Sequence, residues 1–121
     1  MPVSGLPPYD DSNIFARILR GEIPSKKVYE DQWAYAFHDI NPQAPVHLLV
    51  IPKREIATLN DLSPRDGELV GGMFLLAKKL MGEMGQSDYR TVFNCGEQAG
   101  QSVFHIHLHV MAGRRFGWPP G

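Results

Sequence analysis

Cysteine is nearly absent: Cys95 is the only one among 121 residues, so no disulfide can close within one chain. That fits a reducing compartment. No apolar run approaches the roughly 20 residues a membrane-spanning helix needs. The opening MPVSGLPPYDD has neither a basic start nor an apolar stretch, so no signal peptide is expected. Twelve Lys and Arg stand against thirteen Asp and Glu, a net charge of −1 with no basic block. The footprint of a nucleic-acid or membrane-surface binder is missing, although a local cluster could still hold one phosphate group. Internal repeats, low-complexity segments and an HExxH motif are missing too. A soluble, cytoplasmic protein is the expectation.

What is present suits one compact unit. A hydrophobic share of 43% and a charged share of 21% are ordinary for a globular domain of this length. Residues 1–11, with three prolines, read as a flexible leader, and residues 12–121 as a single domain. Ser12 is placed to cap a short helix in NIFARILR, which Gly21 ends. KKVYED and WAYAFHDI read as two strands joined at residues 30–32, and HLLVIP as a central, almost wholly apolar strand. Ser63, Pro64 and Asp66 mark the start of a long helix, along which Leu69, Val70, Met73, Phe74, Ala77, Leu80, Met81 and Met84 recur at helical spacing up to Gly85. YRTVFN and VFHIHLHVM follow as strands around the loop CGEQAGQS. The pattern predicts an α+β fold: a mainly antiparallel sheet of about five strands with one long and one short helix.

In the strand VFHIHLHVM, the period of two puts His105, His107 and His109 on one face, roughly 6–7 Å apart. Phe104, Ile106, Leu108 and Val110 take the other face, toward the long helix. A lone histidine such as His38 is ordinarily a surface or hydrogen-bonded residue. Three in register repel if protonated and bury donors if neutral, which costs stability unless they are used. Two uses make chemical sense: metal ligation by the i, i+2 pair, or nucleophilic catalysis by one neutral imidazole. Gly100 allows close backbone approach and Ser102 adds a hydroxyl just before the strand. Backbone N–H groups, a hydroxyl and imidazoles suit a phosphate better than a bare cation. Phosphate chemistry is the preferred reading.

HIHLHVM matches the signature His-φ-His-φ-His-φ-φ, with φ apolar, at all seven positions. FHDINPQAPVHLLVIPK, SNIFARILRGEIPSK and the terminal WPPG extend the likeness over Ser12 to Gly121. The sequence thus resembles the histidine triad (HIT) family, and within it the nucleotide-binding HINT branch. The resemblance implies a HIT-like protomer forming a two-fold dimer. It implies hydrolysis of the P–N bond in purine nucleoside phosphoramidates through a covalent nucleotidyl-histidine intermediate. His109 stands where the transferase branch carries glutamine, which favours hydrolysis.

By position, His107 resembles the nucleophile, while His109 and Ser102 bind the phosphate oxygens or leaving group. The His105 carbonyl would hold the other nitrogen of His107 as N–H, and His47 would support His105 and the triad. Asp39 would accept from the ribose hydroxyls; Ile14, Phe15, Ile18, Phe37, Ile40 and Leu49 would wall the base; Asn94 would lie near ribose and phosphate. Gly100 and Gln101 would frame the phosphate loop, and Trp118 would lie near the dimer interface on the leaving-group side. No cofactor is required and no metal ligand is assigned; zinc binding is conceivable but not expected for catalysis. The expected partners are purine nucleoside monophosphate conjugates and a second copy of the chain, not nucleic acid or a membrane. Two alternatives stay open: a dinucleoside polyphosphate hydrolase of a related branch, and a nucleotide- or zinc-binding regulatory module. Cys95, Arg114 and Arg115 carry no assigned role.

Overall fold

The computed structural model describes residues 8–121. Most of the expected leader, residues 1–7, lies outside the described residues. Its last part is engaged: Tyr9 and Asp10 hydrogen-bond to the domain, so contacts begin ahead of Ser12.

Five strands form one antiparallel sheet. β1 (Lys27–Glu30) and β2 (Ala34–His38) are joined through Asp31, whose Oδ1 accepts from the N–H groups of Trp33 (2.7 Å) and Ala34 (2.8 Å). A short carboxylate can close a turn on its own backbone in this way. β3 (Val46–Pro52), β4 (Tyr89–Val92) and β5 (Leu108–Ala112) complete the sheet in the order β1-β2-β3-β5-β4. The apolar segment at residues 46–52 is central, as its composition predicts.

Alternation along the three inner strands divides two cores. Ala34, Ala36, Leu48, Val50, Leu108, Val110 and Ala112 face α2 (Gly67–Glu83) and its Met73, Leu76, Ala77, Leu80 and Met81. Tyr35, Phe37, Leu49 and Ile51 face the other way, against Phe15 and Ile18 of α1 (Ile14–Leu19). Each fully buried Leu or Val side chain contributes roughly 1.5–3 kcal/mol, so the sheet is anchored from both sides. Among the described residues no helix is long and apolar enough to cross a membrane.

Three local expectations are corrected. Asn13, not Ser12, caps α1: its Oδ1 accepts from Ala16 N–H at 2.9 Å, while Ser12 bonds to Asp10. Ser63 forms its reciprocal box with Asp66, but the box closes a 3-10 turn, Pro64–Asp66, and α2 begins only at Gly67. Within α2, Phe74 turns partly to solvent beside Phe93, and Leu76, absent from the predicted stripe, is buried.

A fourth correction bears on the site. The strand predicted over VFHIHLHVM forms only from Leu108. The ladder to β3 ends at Val50↔Leu108 because Pro52 has no N–H to donate and its carbonyl takes the ring of His105 instead. The ladder to β4 likewise ends at Val92↔His109. Val103 to His105 bend, so the alternation does not reach Phe104, which is substantially exposed.

Candidate active site

His109 lies in β5 opposite Leu49 and Val92, on the α1 face of the sheet. His107 precedes it in extended chain, its ring centroid 5.1 Å from that of His109 and 4.9 Å edge-on from Phe15. His105 is fully buried and does not join them: its Nε2 lies 2.7 Å from the Pro52 carbonyl and its Nδ1 2.6 Å from the Tyr9 hydroxyl. Two histidines thus present their rings together, and the third is part of the support. All three lie on the α1 side, as expected, with Ile106, Leu108 and Val110 in the opposite core; what differs is that His105 is turned into the support.

The hydrogen-bond partners fix the tautomers. A carbonyl only accepts, so the ring nitrogen facing it carries the proton. His105 is therefore Nε2–H, with Tyr9 donating to its Nδ1 and in turn accepting from Asn13 Nδ2 at 2.9 Å. His107 donates Nδ1–H to the His105 carbonyl at 2.8 Å, which leaves its Nε2 lone pair without a hydrogen-bond partner among the described residues. That is the arrangement the resemblance implied for His107.

His47 departs from its expected place. It lies beside His109, not His105, with its Nε2 2.9 Å from His109 Nδ1 and 3.3 Å from Asp39 Oδ2. Its Nδ1 accepts from the Gln43 backbone N–H at 2.9 Å. His47 is thus Nε2–H and donates to His109 Nδ1, which leaves His109 with its proton on Nε2. One ring of the neighbouring pair 107/109 carries a lone pair at Nε2 and the other an N–H.

Burial holds all four rings neutral. It pushes His105 and His109 down to about 4, the repulsion between neighbouring rings charged together adding to the effect, and lowers His107 and His47 as well. Neutral imidazole is the nucleophilic form.

Asp39, His47 and His109 also bring three ligand-type atoms within 4.8 Å of one another. A metal there would need a lone pair at His47 Nε2, and the Gln43 N–H on Nδ1 keeps that nitrogen protonated. The donor set suits a hydrogen-bond relay better than a cation.

The remaining expected residues divide. Phe15, Ile18, Phe37 and Leu49 pack as one apolar wall next to His107, with Phe15 and Phe37 edge to face at 5.6 Å. Ile14 is partly exposed, and Ile40, in the loop after β2, is 99% exposed and touches none of that wall. Asp39 is half-buried; its Oδ1 accepts from Asn41 N–H and its Oδ2 faces the two histidines. Gly100, at φ +97°, brings the loop against Asn94: a β-carbon there would lie 3.6 Å from Asn94 Nδ2. Gln101 is buried and turned inward, tying Gly96 N–H, the Ala57 carbonyl and the Val103 carbonyl together, so its side chain builds the loop. Ser102 is exposed at the loop's end, and Trp118 is 84% exposed in the tail. Tyr9 and the backbone of Gln43 are partners that sequence reasoning missed. A tyrosine in a proline-rich stretch carries no such signal, and a main-chain donor has no residue type to read.

An α+β sheet with one histidine in its inner strand β5, a second just before it and a third backing them on a carbonyl fits the histidine triad class. The HIT domain model matches residues 20–116. The chain belongs to the HIT family. It is 48% identical over 112 residues to an uncharacterized HIT-like protein of Synechocystis, covering 92% of this chain and 98% of that one. A HIT family hydrolase from Legionella pneumophila superposes with a TM-score of 0.87 at 51% identity, covering 89% of this chain and 98% of that chain. A histidine triad nucleotide-binding protein from Candida albicans is more distant, with a TM-score of 0.74 at 32% identity over 90% and 84%.

Proposed function

We propose that the protein is a hydrolase of purine nucleoside phosphoramidates, of the nucleotide-binding branch of its family, with His107 as nucleophile. The observation that carries this reading is the His107 ring itself, anchored at Nδ1 to the His105 carbonyl so that the Nε2 lone pair points away from its anchor. Its relative from Candida, described as nucleotide-binding, and the Legionella hydrolase are consistent with it.

In this reading, His107 Nε2 attacks the α-phosphorus. The N–P bond forms as the bond from phosphorus to the amine breaks, and the amine leaves with a proton supplied by solvent or substrate. The phosphorylated ring still holds its Nδ1–H and becomes an imidazolium, whose added positive charge the His105 carbonyl takes up. His109 Nε2–H donates to a phosphate oxygen, and Ser102 and the N–H groups of its loop act beside it. Water then attacks the same phosphorus in line, releasing the nucleoside monophosphate and restoring the neutral ring. The wall of Phe15, Ile18, Phe37 and Leu49 receives the base and Asp39 the ribose.

A two-fold dimer is part of the proposal. Among the described residues β4 is a sheet edge, and Tyr89 on it and Phe74 beside Phe93 just after it are partly exposed, a combination that invites a second copy. Light scattering on the purified protein checks this, and a monomer at micromolar concentration removes it.

The central test incubates the protein with a fluorogenic adenosine phosphoramidate, with and without chelator, and with a diadenosine polyphosphate in parallel. Turnover of the phosphoramidate in chelator, with a nucleotide-mass adduct on His107 after acid-free quenching, is the expected result. Faster turnover of the polyphosphate transfers the assignment to that substrate class. Activity lost in chelator and regained with zinc replaces the mechanism with a metal-dependent one.

A further inference from the structure

The segment that follows β5 has no part in the chemistry above, yet it is pressed against the loop between β2 and β3. Gly113 is left-handed at φ +97°, and a β-carbon there would lie only 2.9 Å from Pro45 Cβ. One residue on, Arg114 Nε donates to the Gln43 carbonyl at 3.0 Å, and its Nη1 donates to the Arg115 carbonyl at 2.9 Å. The guanidinium is held in place: it stacks on Phe116 at 4.3 Å, and the same ring meets Arg90 at 5.1 Å, whose Nη2 donates to Gly117 O at 2.7 Å. Gln43 is fixed from its own side as well, its Nε2 donating to the Asn41 carbonyl at 3.0 Å.

We propose that Arg114 is a positioning residue: through the backbone of Gln43 it holds His47 as Nε2–H, and so makes His109 present an N–H to the substrate phosphate. The links are continuous: Arg114 to Gln43 O, Gln43 N–H to His47 Nδ1, His47 Nε2 to His109 Nδ1.

The direction of the last link depends on the first. Free imidazole has two neutral tautomers of similar free energy, and the partner on one nitrogen decides which is populated. With Gln43 N–H withdrawn from Nδ1, only the Asp39 carboxylate, 3.3 Å from Nε2, still favours the proton there, so a share of His47 can carry it on Nδ1 and offer a lone pair to His109. His109 must then hold its own proton on Nδ1 and turn a lone pair toward the phosphate, which repels an anionic oxygen. Arg114 touches no substrate in this account; it fixes the sign of a dipole three bonds away. A mere staple for the tail would leave the imidazoles unchanged.

The tautomer half of this inference stands on geometry alone, and only its kinetic half rests on the proposed function. The experiment records imidazole ¹⁵N shifts and phosphoramidate kinetics on the full-length protein and on Arg114→Met, Arg114→Lys and Arg115→Met. In wild type, His47 Nδ1 and His109 Nδ1 are expected to read as unprotonated acceptors. Arg114→Met should move both toward mixed tautomers and lower kcat roughly tenfold or more, with KM within about twofold, as for other residues that orient a functional histidine. Arg114→Lys should recover most of both, and Arg115→Met should change neither. A His47 carrying its proton on Nδ1 in wild type overturns the inference with no variant needed. So do unchanged shifts in Arg114→Met, or shifted tautomers at undiminished kcat. If wild type hydrolyses no phosphoramidate, the proposed function fails while the shifts still decide the tether.

Discussion

At the scale of the residue, one ring matters most. His107→Ala removes the Nε2 lone pair proposed to attack and should cut kcat by roughly a thousandfold or more, with unfolding midpoint little changed; single-turnover kinetics beside a thermal melt checks both. The acid side of the kcat/KM profile is the second prediction. Burial lowers His107 below the ordinary imidazole value, so the nucleophile stays unprotonated as pH falls through 6.5. Activity should therefore hold through that range and decline only below it. A rate already halved at pH 6.5 would contradict the assignment. How these residues were read from sequence varied with the kind of partner each needs. His107 and its anchoring carbonyl lie two positions apart in one motif and were legible from the resemblance. His47 supports the triad as expected, but through His109 and not His105, because its partner is chosen by the register of β3 against β5, which pairs residue 47 with 111 and 49 with 109.

Elements were read well where side chains alternate and poorly where backbone chemistry intervenes. The period-two pattern of β2 and β3, and the 3.6 period of α2, each follow from which face is buried. The early end of the β3–β5 ladder was not legible, since it depends on Pro52 meeting a ring from a segment 53 residues away. The α1 cap was missed by one position: Ser12 and Asn13 are both good caps, and the choice fell to Asn13 because Asp10 engages Ser12. Asn13→Ala should accordingly destabilise by about 1 kcal/mol, while Ser12→Ala should cost less, measured by denaturant titration. Asn13 also touches Tyr9, so a part of that loss passes to the support of His105. Gly113→Ala combines a left-handed φ with a 2.9 Å approach to Pro45 and should cost about 1–3 kcal/mol. A neutral result at that position would mean the loop yields freely.

For the molecule as a whole, the buried histidines tie folding to proton concentration. An unfolded chain protonates its imidazoles near 6.5, whereas His105 and His109 remain neutral in the fold down to about 4. Between those values the unfolded state binds more protons, so stability is lost as pH falls from about 6.5 toward 4. Each such histidine contributes up to about a tenfold change in the folding equilibrium per pH unit. Urea titrations at pH 7.5 and pH 5 should show a clearly lower midpoint at pH 5, and replacing His105 by a neutral residue that keeps the fold should flatten the dependence. Equal midpoints would mean that these rings titrate alike in both states.

The neutrality of the four clustered rings has an outcome for ligand capture. A phosphate arriving there meets oriented N–H dipoles and lone pairs but no formal cation from these side chains. Dipolar attraction is short-ranged and little screened by mobile ions, unlike attraction between full charges. Substrate affinity should accordingly vary only weakly as potassium chloride is raised from dilute buffer to several tenths molar.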